Sequence, residues 1–339
     1  ELVWHRQLVH HDVWDYDMAA QPTLVELQHD GKKIPALLQG TKTGMIFSLD
    51  RRNGDAIFGI EERPVPQGGV EGEHLSPTQP FPLAPPPLVS HAALSEDDAW
   101  GVLWFDRRAC ARRIRELRSE GIYTPPSIEG TIVYPGYAGG INWGGIAFDP
   151  ASQLAFAFSM NLPTEVALVP RDQLKAVAEF GEFDDFEISQ QRGTPYGMRR
   201  RTLMSALGIP CIEPPWGTLS AVDMREGAIL WQVKVGTIED IAPAIVPNLE
   251  LGVPGIGGPI VTAGGLVFLA ASMDDYLRAF DSSTGEKLWE GRLPAGGQAT
   301  PMTYYLPQTG KQYVVIAAGG HPGAGTTPGD YVLAFALPD

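Results

Sequence analysis

One unit recurs along the 339 residues: an apolar run closing on aspartate, a short turn carrying glycine, then a second apolar run ending on an aromatic. It stands complete at IFSLDRRNGDAIF (46–58), LSAVDMREGAILW (219–231) and LRAFDSSTGEKLW (277–289). A degenerate copy reads IAFDPASQLAF (146–156), and the opening ELVW (1–4) looks like the tail of one more. In each full copy the aromatic (Phe58, Trp231, Trp289) lies eight residues after the aspartate. An aspartate there can accept hydrogen bonds from turn amides, the glycine permits a left-handed backbone, and the aromatic can wedge between adjacent sheets. Asp50, Asp223 and Asp281 are therefore given structural roles. The aspartates at 50, 149, 223 and 281 are 99, 74 and 58 residues apart. Since a minimal four-stranded propeller blade needs roughly 40–45 residues, the blades are expected to carry insertions, near 59–130 and 160–213.

Abundant glycine (39) and proline (30) favour short strands joined by turns, so the expected class is all-β. At 44% hydrophobic and 19% charged the chain can bury a sizeable core. A formal net charge of −15 argues against nucleic acid, and against electrostatic docking of this chain to an anionic membrane. No apolar run approaches the roughly 20 residues of a spanning helix, and no basic-then-apolar segment of this sequence resembles a signal peptide. The chain opens at Glu1, so any targeting segment is expected to have been removed or to precede it. Cys110 and Cys211 lack the CxxC spacing of zinc or haem sites. Two buried thiols are the plainer account; a disulfide is allowed in an oxidising compartment, but sequence alone does not bring the two backbones together. FDRRACARRIRELRSEG (105–121) reads as a short helix with Ile114 and Leu117 on one face and a solvated stripe of Arg112, Arg113, Arg115 and Arg118 on the other. EFGEFDDFEIS (179–189) reads as a surface loop packed by its own phenylalanines.

The chemistry concentrates in HHDVWDYD (10–17) and, 27 residues after Asp15, at Lys42 in TKTGMIFSLDRRNG (41–54). The pair puts a carboxylate and an ammonium at the ends of two neighbouring extended segments. It suits removal of a proton from an alcohol beside an electron-accepting ring: aspartate serves as base while lysine steadies negative charge on the acceptor's oxygens. His10 and His11 flank the base and are candidates to orient it.

These segments, with LVWHRQLVHHDVWDYDMAAQPTL (2–24), RPVPQGG (63–69), SPTQPF (76–81), EGIYTPPSIEGTIVYPGYAGGINWGGIAFDP (120–150), PPWGTLSAVD (214–223), DDYLRAFDSSTGEKLWEGRLPAGGQATPMTY (274–304) and AAGGHPGAGTTPGDYVLAFALPD (317–339), carry a resemblance. The chain resembles the quinoprotein dehydrogenases that use pyrroloquinoline quinone, in particular the membrane-bound glucose, quinate and polyol branch. The resemblance implies an eight-bladed β-propeller with the cofactor on its axis, and residues 1–339 as the C-terminal part of it. The remaining propeller half and a membrane anchor are expected in sequence upstream or on a second chain, in the periplasm at the inner membrane.

By the same resemblance Asp15 matches the proton acceptor, taking the hydroxyl proton as hydride leaves the alcohol carbon. Lys42 matches the basic residue that bonds the quinone oxygens, Asp274 a residue near the cofactor, and His321, in AGGHPGAG, a position tied to sugar specificity. Trp216 is a candidate to line the cofactor cavity. The implied cofactors are pyrroloquinoline quinone and a divalent metal, calcium or magnesium; the implied substrate is a sugar, quinate or shikimate, or another polyol, with ubiquinone as acceptor. One departure stands out: Phe158 in FAFSMNLP occupies a position where glucose-oxidising relatives carry a cofactor-contacting asparagine, with Asn161 three residues on. The competing reading is a non-catalytic propeller scaffold that docks a protein partner. Such a scaffold needs the docking aromatics but has no use for HHDVWDYD with a matched lysine.

Overall fold

The computed structural model describes residues 1–174, 186–242 and 246–337. Four successive antiparallel sheets among the six of the described residues form its main stack. The first contains Thr23–His29, Lys32–Gly40 and Ile46–Asp50. The second runs Ile146–Asp149, Leu154–Met160, Gly217–Asp223, Ala228–Lys234, and the third Ile260–Val261, Leu266–Leu269, Tyr276–Asp281, Lys287–Arg292. Met302–Leu306, Lys311–Ala318 and Tyr331–Ala336 make the fourth. The sheets stack face to face through apolar side chains. Leu27, Leu38 and Ile46 meet Ile146, Ala157 and Val222 between the first and second. Phe156, Phe158 and Leu219 meet Val267, Leu269 and Phe280 between the second and third, and Leu277 and Leu293 meet Val314 and Ile316 between the third and fourth. Leu154–Met160, covered on both faces, is buried at every residue, whereas the outer strand Ala228–Lys234 alternates between exposed and half-buried.

The recurring unit does what its residues dictate. Asp50, Asp223 and Asp281 each accept a backbone N–H two residues on, from Arg52, Arg225 and Ser283, at 2.8–2.9 Å. Gly54, Gly227 and Gly285 follow with φ of +76°, +66° and +75°. On each of these glycines lies an aromatic from earlier in the chain, Trp4 on Gly54, Phe58 on Gly227 and Trp231 on Gly285, so close that a Cβ would come within 2.7, 3.1 and 2.8 Å of the ring. Trp4 and Trp231 also donate their indole N–H groups to Arg51 and Ser282 carbonyls, at 2.9 and 3.1 Å. A glycine is thus required twice over, for the left-handed turn and for room to seat the ring.

Two expectations are corrected. The degenerate copy 146–156 is not a unit of its own: Leu154–Met160 pairs with Gly217–Asp223, Leu154 opposite Asp223, so both hairpins belong to the second sheet. Between them the chain leaves that sheet and returns. On this excursion Thr164–Pro170 and Tyr196–Thr202, with Glu187–Ser189 and Thr131–Val133, form a further four-stranded sheet. Secondly, Cys110 and Cys211 are not free thiols but a disulfide, their Cα atoms 5.3 Å apart. It ties helix α1 (Trp104–Glu116) to the segment after Tyr196–Thr202, over a cluster of Ile114, Ile132, Leu203, Ile212 and Trp216.

Helix α1 begins at Trp104, close to expectation, but ends at Glu116, five residues short of 121, with Ile114 buried and Leu117 buried at its C-cap. Its basic stripe is only partly solvated. Arg113 pairs with the wholly buried Glu165, which also takes Arg201 at 3.1 Å, and Arg118 donates to the Gly68 carbonyl at 2.7 Å. Most of the segment 179–189 lies outside the described residues, while Glu187–Ser189 is a strand.

Candidate active site

The segment bearing Asp15 alternates. Trp14 and Tyr16 point inward, where Trp14 Nε1 donates to the Thr124 carbonyl at 2.8 Å and Tyr16 Oη to that of Pro135 at 2.5 Å. Both pack with Tyr123, Phe47 and Phe81. With those two rings fixed, Asp15 and Asp17 face the other way, onto the wall of a cavity of about 1240 Å³. Asp15 takes a φ of +68°, a conformation aspartate tolerates better than most side chains. Lys42 follows the strand Lys32–Gly40, and its Cα and Cβ lie so close to Gly139 that any side chain there would displace them.

Lys42 Nζ donates to Asp15 Oδ1 at 2.9 Å and makes a second, shorter bond to Asp17 Oδ1. Asp15 Oδ2 accepts from Arg200 NH1 at 3.0 Å. Arg200 is itself held by Glu187, with Nε at 2.9 Å and NH2 at 3.1 Å from the two carboxylate oxygens, and its guanidinium lies 3.6 Å from the centre of the Tyr137 ring. Burial pulls the Asp15 carboxyl upward, but the bonds and charge of Lys42 and the bond from Arg200 outweigh it and hold it below the usual carboxylate range. Burial likewise works to discharge Lys42, yet its bonds to Asp17 and Asp15 raise its pKa above the ordinary lysine value. At neutral pH the cluster is therefore an ionised base between two permanent cations.

Trp216 and His321 line the same cavity. Trp216 is buried, donates Nε1 to the Ile212 carbonyl at 2.9 Å and meets Trp100 edge-on, so it serves core and wall together. His321 rests edge-on against Trp143 with ring centres 5.1 Å apart, and its Nδ1 is buried without a partner. The structure therefore brings Asp15, Lys42, Trp216 and His321 to one cavity.

Asp274 is not among them. It is fully buried, with its oxygens occupied by Arg278, Ser272 and Thr237, and only its neighbour Met273 reaches the cavity. A carboxylate so engaged holds the Met273 turn; it has no lone pair free for a ligand. His10 and His11 do not orient Asp15 either: the His10 ring contacts Glu62 at 3.0 Å and Gln7 at 3.2 Å, and His11 is exposed. Phe158 is buried between the second and third sheets, away from the cavity. Asn161 sits between the cavity residues Met160 and Leu162, and its Oδ1 is buried and unpaired.

Sequence reasoning missed Asp17, Arg200 and Tyr137. Asp17 could have been read from the alternation in WDYD, which puts residues 15 and 17 on one side. Arg200 sits 185 residues from Asp15 in a run of three arginines, with no local signal to single it out.

An anionic, oxygen-rich cofactor finds donors on this wall in the Lys42 and Arg200 cations and the Thr164 and Thr202 hydroxyls. No group of three or more His, Cys, Asp or Glu side chains that could hold a metal exists among the described residues, so they do not make a metal site of their own.

The profile of a family described as glucose/ethanol/alcohol dehydrogenase, β-propeller domain, abbreviated PQQ, matches residues 1–314. The quinoprotein glucose dehydrogenase of Escherichia coli is 46% identical over 100% of this chain and 43% of its own length. A probable quinate dehydrogenase (quinone) of Xanthomonas campestris is 43% identical over 99% of this chain, again 43% of its own length. Among solved structures, the quinohemoprotein alcohol dehydrogenase of Comamonas testosteroni superimposes with a TM-score of 0.59 at 23% identity, covering 98% of this chain and 40% of that one. The chain thus spans less than half the length of the curated relatives it matches.

Proposed function

The chain belongs to the PQQ family of glucose/ethanol/alcohol dehydrogenase β-propeller domains, and from that premise we propose that it forms the base-bearing wall of a pyrroloquinoline-quinone-dependent alcohol dehydrogenase. One observation carries the reading: an ionised carboxylate and a lysine ammonium lie 2.9 Å apart on the wall of a large cavity. When bound, the quinone supplies a two-electron acceptor. Asp15 takes the hydroxyl proton of the alcohol, as its depressed pKa keeps it unprotonated well below neutrality. Lys42 holds positive charge where the acceptor's oxygens gain electron density. Trp216 walls the cavity on one side, and His321 on its glycine-rich turn meets the substrate at the mouth. Asp274 acts from behind, by fixing the turn of Met273.

The substrate class is a polyhydroxylated alcohol: a sugar, quinate or shikimate, or another polyol. The quinate relative is named for a quinone acceptor, which supports ubiquinone as the acceptor here. We place residues 1–339 as the C-terminal part of the propeller of a periplasmic enzyme held at the inner membrane by sequence outside this chain. Among the described residues no helix is long and apolar enough to cross a membrane.

Asp15→Asn tests the proposal. Asparagine accepts the left-handed backbone of this position, so the fold should survive. In the complete enzyme, turnover should fall on the order of 10²-fold or more with quinone binding nearly intact. Near-normal turnover with the cofactor bound would refute Asp15 as the base.

A further inference from the structure

The two oxygens of Asp15 are held by partners of very different freedom. Oδ1 faces Lys42, whose ammonium also binds Asp17 and can keep that carboxylate if Asp15 lets go. Oδ2 faces Arg200, which has little room to move. Its remaining edge is gripped bidentately by Glu187, directly opposite it in the strand pairing, and its plane lies on the Tyr137 ring. The side chain is only 16% exposed. A guanidinium fixed on three sides is a post, whereas a shared ammonium is a loose tether.

We infer that Arg200 is a positioning residue for the base: by pinning Asp15 Oδ2 it leaves Oδ1 as the oxygen that receives the substrate proton. The inference rests on the reading of Asp15 as base. Arg200 also reaches Asp15 from the excursion sheet, so that sheet, far off in sequence, sets the aim of a carboxylate near the start of the chain. The ionisable groups around Asp15 are Lys42 and Asp17 in the main cavity, with Arg200, Glu187, Asp12 and Tyr137 around the adjoining hollow. Removing the arginine takes away one of the two cations bonded to Asp15 and leaves Lys42, shared with Asp17, as the other, so Asp15 must become easier to protonate.

Two variants and two readouts test this. In the holoenzyme Arg200→Gln should shift the acidic limb of kcat/KM upward by about one pH unit, the low end of what an adjacent opposite charge does to a carboxylate. Its kcat should fall about tenfold or more, with KM for the alcohol changed less than about twofold, because the loss lies in aiming the base and not in binding. Arg200→Lys should return the limb to within about half a unit while kcat stays several-fold low, since one ammonium cannot span Glu187 and Oδ2 together. Independently of any turnover, the Asp15 carboxylate can be titrated in the cofactor-free protein by infrared difference spectroscopy against Asp15→Asn. There too Arg200→Gln should move the transition upward. An unmoved carboxylate transition in Arg200→Gln, or wild-type kcat in Arg200→Lys, overturns the inference. If instead the wild-type holoenzyme oxidises no polyol, the proposed function falls, and the infrared titration still decides whether Arg200 governs Asp15.

Discussion

Lys42 is bound by two carboxylates and buried to the head, so its removal does more than delete a cation. It leaves Asp15 and Asp17 facing each other with half their compensation gone. Lys42→Ala should therefore weaken quinone affinity and slow its reduction together, whereas a solvent-facing lysine would change either by well under about 1 kcal/mol. Lys42→Arg should rescue in part, because charge survives but the planar fork cannot occupy the same point. Stopped-flow reduction of the reconstituted enzyme separates the two effects, and wild-type behaviour of Lys42→Ala in both would remove the 41–54 segment from the cofactor site. At this scale the sequence was legible where motif and chemistry coincide. Asp15, Lys42, His321 and Trp216 all reach the cavity. Asp274 stands one residue behind the cavity wall, and a short polar residue before a strand gives no sign that a buried arginine four residues on, Arg278, will claim it.

The recurring unit was the most legible element, since aspartate, glycine and aromatic each answer a local demand. Its weight can be measured with a matched pair of substitutions. Gly285 and Gly310 have nearly the same backbone, φ +75° and +68°, but Gly285 carries the Trp231 ring and Gly310 has nothing within 4 Å. Gly285→Ala and Gly310→Ala should share the left-handed cost of about 1–2 kcal/mol. Gly285→Ala should lose a further ~1–3 kcal/mol for overpacking the docked indole. Equal melting temperatures for the two variants would show that the aromatic does not dock as drawn. The disulfide was beyond reach of the same reasoning. Its cysteines are 101 residues apart, and only the excursion sheet, unseen in the sequence, brings helix α1 and the segment after Tyr196–Thr202 together.

For the whole molecule, the succession of sheets could be read from the repeat, but the nesting could not. The strand Leu154–Met160 skips some 60 residues to find Gly217–Asp223, and apolar strands carry no label for which of several partners they will choose. The excursion this creates is what delivers Arg200 and Glu187 to Asp15. The stack also ends unfinished on its far side, where Met302, Tyr305, Tyr331 and Val332 of the fourth sheet are exposed. Combined with coverage of 43% of the relatives' length, this leads us to expect that the cavity gains its opposite wall from elsewhere in the complete enzyme. The 339-residue chain alone should then hold the quinone weakly. Titration with pyrroloquinoline quinone and calcium, followed by quenching of Trp143 and Trp216 in the cavity wall, should half-saturate above about 10 μM, since one wall recovers only part of the contact energy that offsets the lost freedom of a bound ligand. Stoichiometric, submicromolar binding by this chain would mean that the cations, hydroxyls and aromatic rings on this one wall suffice, and that the exposed fourth sheet has no part in closing the site.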